Sequence, residues 1–465
     1  MITMSLQQAA QAMDGRLLGD NGTIRGVSTD SRKIAAGELF IALRGENFDG
    51  HEFVATARDA GAAAAVIDDQ APESVRTLGL PLIVVADTRT ALGALASAWR
   101  ARFDIPLVAV TGSNGKTTTK EMVASILRAA FGNTVLATQG NFNNDVGLPL
   151  TLLQLNDAHR AAVIEMGMNH PGEISSLARI AAPTVAIVTN AQRAHLAGMG
   201  TLETIAAEKG SVFPELPETG VAVINADDQW AALWRGQAAG CRIMDFSFEG
   251  PASVTGECHT HGLENDLKIR VLGSEIEVSL AVPGEHNARN ALAAAAVAVA
   301  AGVPLDAVRD GLAAFRGVKG RLQRRAGYMG ATVLDDTYNA NPDSVRAGVD
   351  VLAAMVGRKI LVLGDMGEIG DMTGQFHDEV GGYAKSQGLD RLLAYGESSA
   401  LAAHNFGAGG EHFKKIEDLI ATLRAEMTPE TTVLIKGSRF MRMERVVDAV
   451  LAEAEVNSEE KRGCC

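Results

Sequence analysis

One glycine-rich loop constrains the fold of this chain more than any other stretch. Residues 105–119 read IPLVAVTGSNGKTTT, an apolar run followed by a glycine loop, and residues 119–130 have helical character. A short apolar run of this kind is typical of a buried parallel strand. The helix that follows offers free N–H groups and a partial positive charge at its N-terminus, and glycines let the backbone wrap closely round oxygen atoms. The pattern therefore predicts a phosphate-binding loop.

This loop, residues 112–118, is called the P-loop below and is a shortened variant. The common form places a glycine six residues before the lysine, but Val110 stands there and the glycine has moved to Gly112. Lys116 is predicted to reach the β- and γ-phosphates of ATP, and the Thr117 hydroxyl to ligate Mg²⁺. An ordinary strand-to-helix turn is the alternative, which is disfavoured because both context and spacing match a phosphate site. The predicted phosphate ligands are Gly112, Ser113, Asn114, Gly115, Lys116, Thr117 and Thr118.

Composition excludes several classes of protein. Apolar residues make up 47% and charged residues 21% of the 465 residues, which indicates a globular chain. The formal net charge is 42 − 56 = −14, and no run of basic residues interrupts it, so nucleic acid is not an expected partner. The four cysteines, Cys241, Cys258, Cys464 and Cys465, have neither a disulfide framework nor metal-ligand spacing. The terminal pair is predicted to be free thiols in a frayed tail.

No targeting or membrane segment is evident. The first residues, MITMSLQQAAQAMDG, lack the basic start and long apolar run of a secretory signal. The most apolar helical stretch, residues 291–301, is too short to cross a bilayer, which needs about 20 residues. We therefore expect a cytoplasmic enzyme without membrane insertion.

Alternating strands and helices predict an α/β fold with three domains. A smaller α/β domain is expected at residues 1–103, a P-loop domain with a mainly parallel sheet at 104–322, and a C-terminal Rossmann-like domain at 323–465. Three finer expectations follow from local patterns. Residues 24–32 are predicted to form one strand, residues 243–282 a small side sheet, and residues 440–449 a helix.

Polar residues at strand ends suggest a ligand crevice. Glu165 ends an apolar strand, while Asn190 and His195 follow the next one, and such positions meet at one edge of a parallel sheet. A carboxylate beside a phosphate loop suits a hard metal ion. Single residues of these types are more often surface or core residues, which is the alternative. Lys209 lies on a predicted helix, and its local pattern indicates only a solvated lysine.

Two asparagines, Asn287 and Asn290, stand three positions apart at a helix start and hence on one face. Their amides can bind an adenine edge, or they can cap the helix. Residues 436–439, Lys-Gly-Ser-Arg, follow a predicted strand and precede a predicted helix, a favourable place for an anion. The alternative is that Ser438 is an N-cap and Arg439 is solvated.

Several motifs in fixed order resemble the Mur ligase family of ATP-dependent amide-bond ligases. The general ones are TGSNGKTT, PGEHNARNALAA and GRLQ. Narrower ones are STDSRKIAAGELFIALRGENFDGHEF, GNFNNDVGLPLTLL, DDTYNANPDSV, GDMGEIG and KGSRFMRME, so the resemblance spans about residues 24 to 447. It implies an ADP-forming ligase that joins D-alanyl-D-alanine to a UDP-N-acetylmuramoyl tripeptide through an acyl phosphate. The first domain would hold the UDP-sugar-peptide, the second ATP and the third the amine, in a monomer.

The resemblance also implies roles for individual residues. The implied catalytic residues are Lys116, Lys209, His195 and Arg321, and the implied Mg²⁺ positions are Thr117, Glu165, His195 and a carbamylated Lys209. Further ATP contacts are implied for Asn287, Asn290, Arg321 and Asp336. Substrate contacts are implied for Ser31, Arg32, Asp49, His51, Asn143, Asn144, Asn339, Ser438 and Arg439.

Three other functions stay open on the sequence. The ligase that adds the third amino acid, diaminopimelate or lysine, shares the DSR-type start, but its Asp-Asn-Pro-Arg motif is missing here. A folyl-polyglutamate ligase would not need the first domain. A P-loop NTPase switch or motor without ligase chemistry would not need the downstream asparagine and histidine motifs.

Overall fold

The computed structural model describes residues 1–452, which form three α/β units around one large cavity. The expected α/β class and the mainly parallel central and C-terminal sheets are confirmed. Residues 453–465 lie outside the described part of the chain, and with them the predictions for Cys464 and Cys465. Within residues 1–452, no helix is both long enough and apolar enough to cross a membrane.

The first unit is a small twisted sheet with helices. Its described strands are ordered β2-β7-β6-β5-β4, with β1 and β3 as a separate antiparallel pair. Its elements are β1 (Met4–Ser5), α1 (Leu6–Ala12), β2 (Arg16–Leu18), β3 (Thr23–Ile24), β4 (Val27–Ser28), β5 (Leu39–Ile41), α2 (Val54–Asp59), β6 (Ala64–Asp68), α3 (Glu73–Arg76), β7 (Leu82–Val85) and α4 (Thr88–Arg100).

The single strand predicted for residues 24–32 is wrong. The chain forms two short strands there, β3 and β4, in different sheets. Gly26 separates them with φ 144°, a backbone conformation that residues with a side chain rarely adopt. Ile24 and Val27 stand three positions apart, which does not fit the period of two of a single continuous strand.

The central unit is built on one long sheet, ordered β16-β15-β14-β13-β12-β11-β8-β10-β9 among the described residues. The pairs from β9 to β14 are parallel, and β14 to β16 are antiparallel. Its elements are β8 (Leu107–Thr111), α5 (Lys116–Phe131), β9 (Val135–Ala137), α6 (Gly147–Leu152), β10 (Ala161–Glu165), α7 (Glu173–Ala181), β11 (Val185–Val188), α8 (Leu196–Met199), α9 (Leu202–Gly210), β12 (Val221–Asn225), α10 (Ala231–Gln237), β13 (Arg242–Ser247), β14 (Val254–His261), β15 (Glu264–Val271), β16 (Ser274–Leu280), α11 (Glu285–Ala300) and α12 (Leu305–Ala314).

The separate side sheet expected for residues 243–282 is wrong, because these strands extend the main sheet. Phe246 pairs with Val254, and Ser247 with Thr255, which joins β13 to β14 in parallel. Along β15 the side chains alternate between exposed and buried. One face of the antiparallel end is therefore covered and the other meets solvent, as antiparallel sheets permit.

The third unit is a Rossmann-like sheet ordered β17-β18-β22-β19-β20-β21, parallel except for β17. Its elements are β17 (Gln323–Ala326), β18 (Thr332–Asp336), α13 (Pro342–Ala353), β19 (Arg358–Gly364), α14 (Thr373–Ser386), β20 (Arg391–Tyr395), α15 (Ser399–Phe406), β21 (Gly410–Phe413), α16 (Ile416–Glu426), β22 (Thr431–Lys436) and α17 (Glu444–Val450). The helix predicted at 440–449 is shorter: a 3-10 turn at Arg439–Met441 precedes α17.

Candidate active site

The P-loop glycines are required by close packing. Gly112 has φ 146°, and a Cβ there would lie 1.9 Å from Thr189 Oγ1. Gly115 has φ 80°, and its Cβ would lie 2.3 Å from Asn290 Oδ1. Both positions combine a left-handed backbone with no room for a side chain. The loop is thus pressed against the end of β11 on one side and α11 on the other.

Residues after β11 hold the P-loop in place. The Asn114 N–H donates to Asn190 Oδ1 at 2.9 Å, and the Ser113 N–H donates to the Asn190 carbonyl at 2.9 Å. The Thr189 hydroxyl donates to the Asn114 carbonyl at 2.7 Å. Asn190 is therefore a brace for the loop. It follows β11 in the sequence, but nothing in the pattern showed which loop it would bind.

The side chains of Lys116, Thr117 and Arg321 converge at the start of α5. Lys116 Nζ donates to the carbonyls of Gly112 at 2.7 Å and Ser113 at 3.2 Å. Burial lowers the pKa of Lys116, while the nearby carboxylate of Glu165 opposes that shift. Arg321 donates to Thr117 Oγ1 at 2.9 Å, and its guanidinium stacks on the ring of Tyr338 at 4.2 Å. This arrangement presents positive charge to a phosphate.

Glu165 ends β10 with an unsatisfied oxygen. The residue is 2% exposed, and its Oε1 accepts a hydrogen bond from Asn143 Nδ2 at 2.8 Å. Its Oε2 is buried without a hydrogen-bond partner. A buried carboxylate oxygen is costly unless it is paired or coordinates a cation. The donor set at this strand end therefore fits a magnesium ion.

Lys209, on α9, is not the solvated lysine that its local sequence indicated. It is 1% exposed. Burial, and then the charge of Lys116, hold the pKa of its amine well below the usual value. A neutral lysine amine is the form that reacts with carbon dioxide. Within residues 1–452, no three His, Cys, Asp or Glu side chains converge as a ready metal site, so a carbamate here would add a missing carboxylate.

The asparagine pair of α11 does not cap its helix, so the capping alternative is wrong. Gly284 is the N-cap residue, and no side chain caps this end. Asn287 Nδ2 donates to the Pro283 carbonyl at 2.7 Å, and Asn290 Nδ2 donates to Asn287 Oδ1 at 3.3 Å. The pair is buried behind Gly115 and faces the cavity.

Of two adjacent aspartates after β17, Asp336 is the one that faces the cavity. Its carboxylate pairs with Lys436 Nζ at 2.6 Å and accepts from the Leu322 N–H at 3.2 Å. Asp335 instead accepts from the N–H and hydroxyl of Thr337. Burial raises the pKa of Asp335, which suits a residue of the sheet interior.

One cavity of about 1160 Å³ joins these groups. Residues from all three units line it, including Arg89 of α4. Of the residues singled out in the sequence, it is lined by Ser113, Asn114, Gly115, Lys116, Thr118, Asn143, Asn144, Glu165, Asn190, His195, Asn287, Asn290, Arg321, Asp336, Asn339 and Lys436.

Four predicted substrate residues of the first unit lie outside that lining. Arg32 is 85% exposed at its side chain and pairs with Asp30 at 2.8 Å, next to Ser31. His51 is 1% exposed; its Nδ1 contacts Asp49 Oδ1 at 2.6 Å. Its Nε2 accepts from the backbone N–H of Asp68 at 3.1 Å. His51 and Asp49 thus fasten the turn before α2 to the end of β6.

Ser438 and Arg439 also lie outside the cavity lining. Ser438 is buried, accepts from the Gly367 N–H at 2.7 Å and donates to the Ala340 carbonyl at 3.1 Å. Ser438 is the N-cap residue of the 3-10 turn Arg439–Met441, as the alternative held, but its side chain makes no capping hydrogen bond. The Arg439 side chain is 65% exposed and pairs with Glu444 at 3.0 Å.

Contacts between the central and third units add residues that the pattern did not single out. His195, with φ 60°, contacts Glu368 Oε2 through Nδ1 at 3.0 Å. Arg193 pairs with Asp343 at 2.6 Å and Glu379 at 2.9 Å. Glu368 belongs to the GDMGEIG motif, so the sequence could have indicated a role for this residue. Arg193 had no such signal.

Comparison with known proteins identifies the same architecture. Three family profiles match: "Mur ligase family, catalytic domain" at residues 23–100, "Mur ligase middle domain" at 110–298, and "Mur ligase, glutamate ligase domain" at 320–439. The UDP-N-acetylmuramoyl-tripeptide–D-alanyl-D-alanine ligase of Escherichia coli (strain K12) is 40% identical over 454 residues, covering 97% of this chain and 99% of that protein.

Solved structures of the same family are similar to this chain over nearly its full length. The MurF structure from Acinetobacter baumannii has a TM-score of 0.90 and 35% identity, covering 96% of this chain and 98% of that one. MurF ligase from Thermotoga maritima, solved in complex with ADP, has a TM-score of 0.80 and 28% identity, covering 91% of this chain and 96% of that one.

Proposed function

This chain belongs to the Mur ligase family, and from that premise we propose that it joins D-alanyl-D-alanine to a UDP-N-acetylmuramoyl tripeptide, with ATP converted to ADP and phosphate. The observation that carries the proposal is the P-loop opening into a cavity that all three units line. The similarity to the Escherichia coli ligase over nearly its full length supports the substrates. The reaction would serve the cytoplasmic stage of peptidoglycan precursor synthesis.

We propose domain boundaries at residues 1–103, 104–322 and 323–465. We propose that the first domain binds the UDP-sugar-peptide, the second ATP, and the third the amine. Arg89, on α4 of the first unit, reaches the same cavity as the P-loop of the second. Such a shared cavity is what a ligase needs, since its acid and its phosphoryl donor must meet.

The chemistry explains why Lys116 and Arg321 face the cavity. A carboxylate is a poor acyl donor because its leaving group would be oxide, so the γ-phosphoryl group of ATP first makes an acyl phosphate. Both partners in that step are anionic. Lys116 and Arg321 are placed to offset their repulsion. The amine then attacks the acyl carbon and phosphate leaves, while closure of the third domain keeps water away.

Magnesium fits the residues present. Thr117, Glu165, His195 and a carbamylated Lys209 would hold it, and the unsatisfied Glu165 Oε2 supports that assignment. Bound there, the metal would neutralise phosphate charge. Asn287, Asn290 and Asp336 are proposed to bind the adenosine part of ATP. Ser31, Arg32, Asp49, His51, Asn143, Asn144, Asn339, Ser438 and Arg439 stay proposals for the other two substrates.

A phosphate-release assay against a panel of UDP-muramoyl peptides and amines tests the function. We expect release that requires both a tripeptide substrate and D-alanyl-D-alanine, and a loss of at least ~10²-fold in Lys116→Ala, by analogy with the loss of one oxyanion-hole donor. Release driven by diaminopimelate or lysine with a dipeptide substrate would instead support the third-residue ligase. Release without any amine would support a plain NTPase.

A further inference from the structure

Glu368 is the carboxylate that the third unit brings to the P-loop. It follows β19 in the loop that leads to α14, and its carbonyl accepts a hydrogen bond from the Ala197 N–H at 3.3 Å. Its side chain is 61% exposed, lines the large cavity, and contacts His195 at 3.0 Å. The carboxylate is also close enough to Lys116 for their charges to interact.

Each of the other carboxylates lining the cavity is bound by at least one group of the protein itself. Arginine or lysine pairs with some, and N–H groups or amides bind the rest. These are Asp145 with Arg89, Asp336 with Lys436, Asp343 with Arg193, Asp227 with Arg289, Asp228 with the Ala191 and Trp230 N–H groups, Glu173 with the Asn169 and His170 N–H groups, and Glu165 with Asn143. Glu368 differs in two ways. Within residues 1–452 its only side-chain hydrogen-bond or ion-pair contact is with the His195 imidazole, and its side chain is exposed to the cavity, whereas the unpartnered Oε2 of Glu165 is buried at the position assigned to magnesium.

A negative charge at this place needs an explanation. The proposed function brings ATP and an acid to the P-loop, and both are anionic, so a carboxylate beside Lys116 repels them. Glu368 also has φ 61°, an uncommon backbone for a residue with a side chain, and so does its partner His195 at 60°. Strained residues persist at sites where their position matters. A cationic ligand at Glu368 would account for both features.

We propose that Glu368 binds the α-ammonium of D-alanyl-D-alanine and so selects a free amine as the acceptor. This inference rests on the proposed function. The dipeptide is the substrate whose α-amino group attacks the acyl phosphate, and it enters as an ammonium, since an α-amino group has a pKa near 8. Glu368 lines the same cavity as the P-loop, so an ammonium bound to it would share that cavity with the acyl phosphate.

The test compares Glu368→Gln with Glu397→Gln, a matched carboxylate of the same unit that faces a different pocket. We expect Glu368→Gln to raise the KM for D-alanyl-D-alanine at least about tenfold, because hydrogen bonds to charged groups are worth more than neutral ones. The KM values for ATP and the UDP-tripeptide should stay within about twofold. Glu397→Gln should behave as the wild type.

Two further measurements separate amine binding from a role through His195. Hydroxylamine trapping without dipeptide reports acyl phosphate formation, which Glu368→Gln should retain. D-lactoyl-D-alanine, with a hydroxyl in place of the ammonium, should bind wild type far more weakly than the dipeptide does, and Glu368→Gln should lose most of that discrimination. An unchanged dipeptide KM, or an equal loss of acyl phosphate formation, would overturn the inference. A wild-type enzyme without amine-dependent phosphate release would overturn the proposed function itself.

Discussion

The side chain of Lys209 shows how burial changes what a residue can do. It is 1% exposed, and burial holds the pKa of its amine well below the usual value. Keeping a bare ammonium in such a place is unfavourable, whereas a carbamate facing magnesium would be paired. The residue thus has a physical reason to be modified, in addition to the family resemblance.

We predict that Lys209→Ala loses at least ~10²-fold in activity, by analogy with the loss of one transition-state contact. A short carboxylic acid should restore part of it by replacing the carbamate. Labelled bicarbonate should produce a carbamate carbon signal in wild type by ¹³C NMR and none in the variant. Lys385→Ala, which changes an exposed lysine of α14, serves as the control. Normal turnover by a folded Lys209→Ala would contradict the assignment.

His286, at the start of α11, makes a pH-dependent contribution to stability. Burial, and then the charge of Lys436, lower the pKa of His286 to about 4 from 6.5. The unfolded chain therefore binds more protons than the folded one between these values. Stability from this residue is present above pH 6.5 and is lost as the pH falls towards 4.

We predict that His286→Gln reduces the loss of unfolding free energy between pH 7 and pH 4.5. The difference should be at most about 3 kcal/mol, from the size of the pKa shift. Urea unfolding of both proteins at the two pH values measures it. Parallel stability curves for wild type and variant would show that His286 does not titrate as proposed.

At the scale of elements, helix α4 is fastened to the central sheet by one buried arginine. Arg100 is 5% exposed and donates to the carbonyls of Phe103, Ile105, Ala181 and Ala182. Phe103 and Ile105 lie in the connection between α4 and β8, whereas Ala181 and Ala182 lie at the end of α7. The last residue of α4 therefore also ties this helix to the central unit.

We predict that Arg100→Met destabilises the protein by about 2–4 kcal/mol, because buried carbonyls lose their charged donor. Arg102→Ala is the matched control. Its guanidinium lies over the Trp99 ring at 4.6 Å on the exposed surface, and its loss should cost under about 1 kcal/mol. Urea unfolding measures both. Equal effects of the two substitutions would mean that the carbonyl contacts of Arg100 contribute little.

At the scale of the whole molecule, a few polar contacts decide how the third unit sits on the second. Arg193 pairs with Asp343 of α13 and Glu379 of α14, and its guanidinium lies over the Phe376 ring at 5.2 Å. Asn341 Nδ2 donates to Asn114 Oδ1 in the P-loop at 2.8 Å. The docked arrangement thus depends on the nucleotide loop itself.

We predict that Arg193→Ala weakens this docking by about 2 kcal/mol, since truncating one partner leaves interface charges unpaired. Small-angle scattering should show a larger radius of gyration without ligands, and kcat should fall while far-UV circular dichroism is unchanged. Arg270→Ala removes a comparable pair of ionic contacts within the antiparallel end of the central sheet and should alter neither. A wild-type scattering profile for Arg193→Ala would contradict the docking role.

The P-loop, the three α/β units and most of their strands could be predicted from the amino-acid sequence. These depend on local patterns: the apolar runs before the P-loop and before Glu165 form β8 and β10, and the P-loop precedes α5 as its glycines indicated. Periodicity is a property of neighbouring residues, so it predicts elements well. It failed where a single glycine breaks a strand, as at Gly26, and where the pairing of two strands decides whether they belong to one sheet, as between β13 and β14.

Only the tertiary structure decided which polar residues face the cavity. Lys209 and His51 are both buried, yet one lies near Lys116 and the other fastens a turn. Glu368 meets His195 across 173 positions of sequence. Burial and charge pairing arise from contacts between distant segments, and those contacts, rather than residue type or spacing, fix the chemistry available to each side chain.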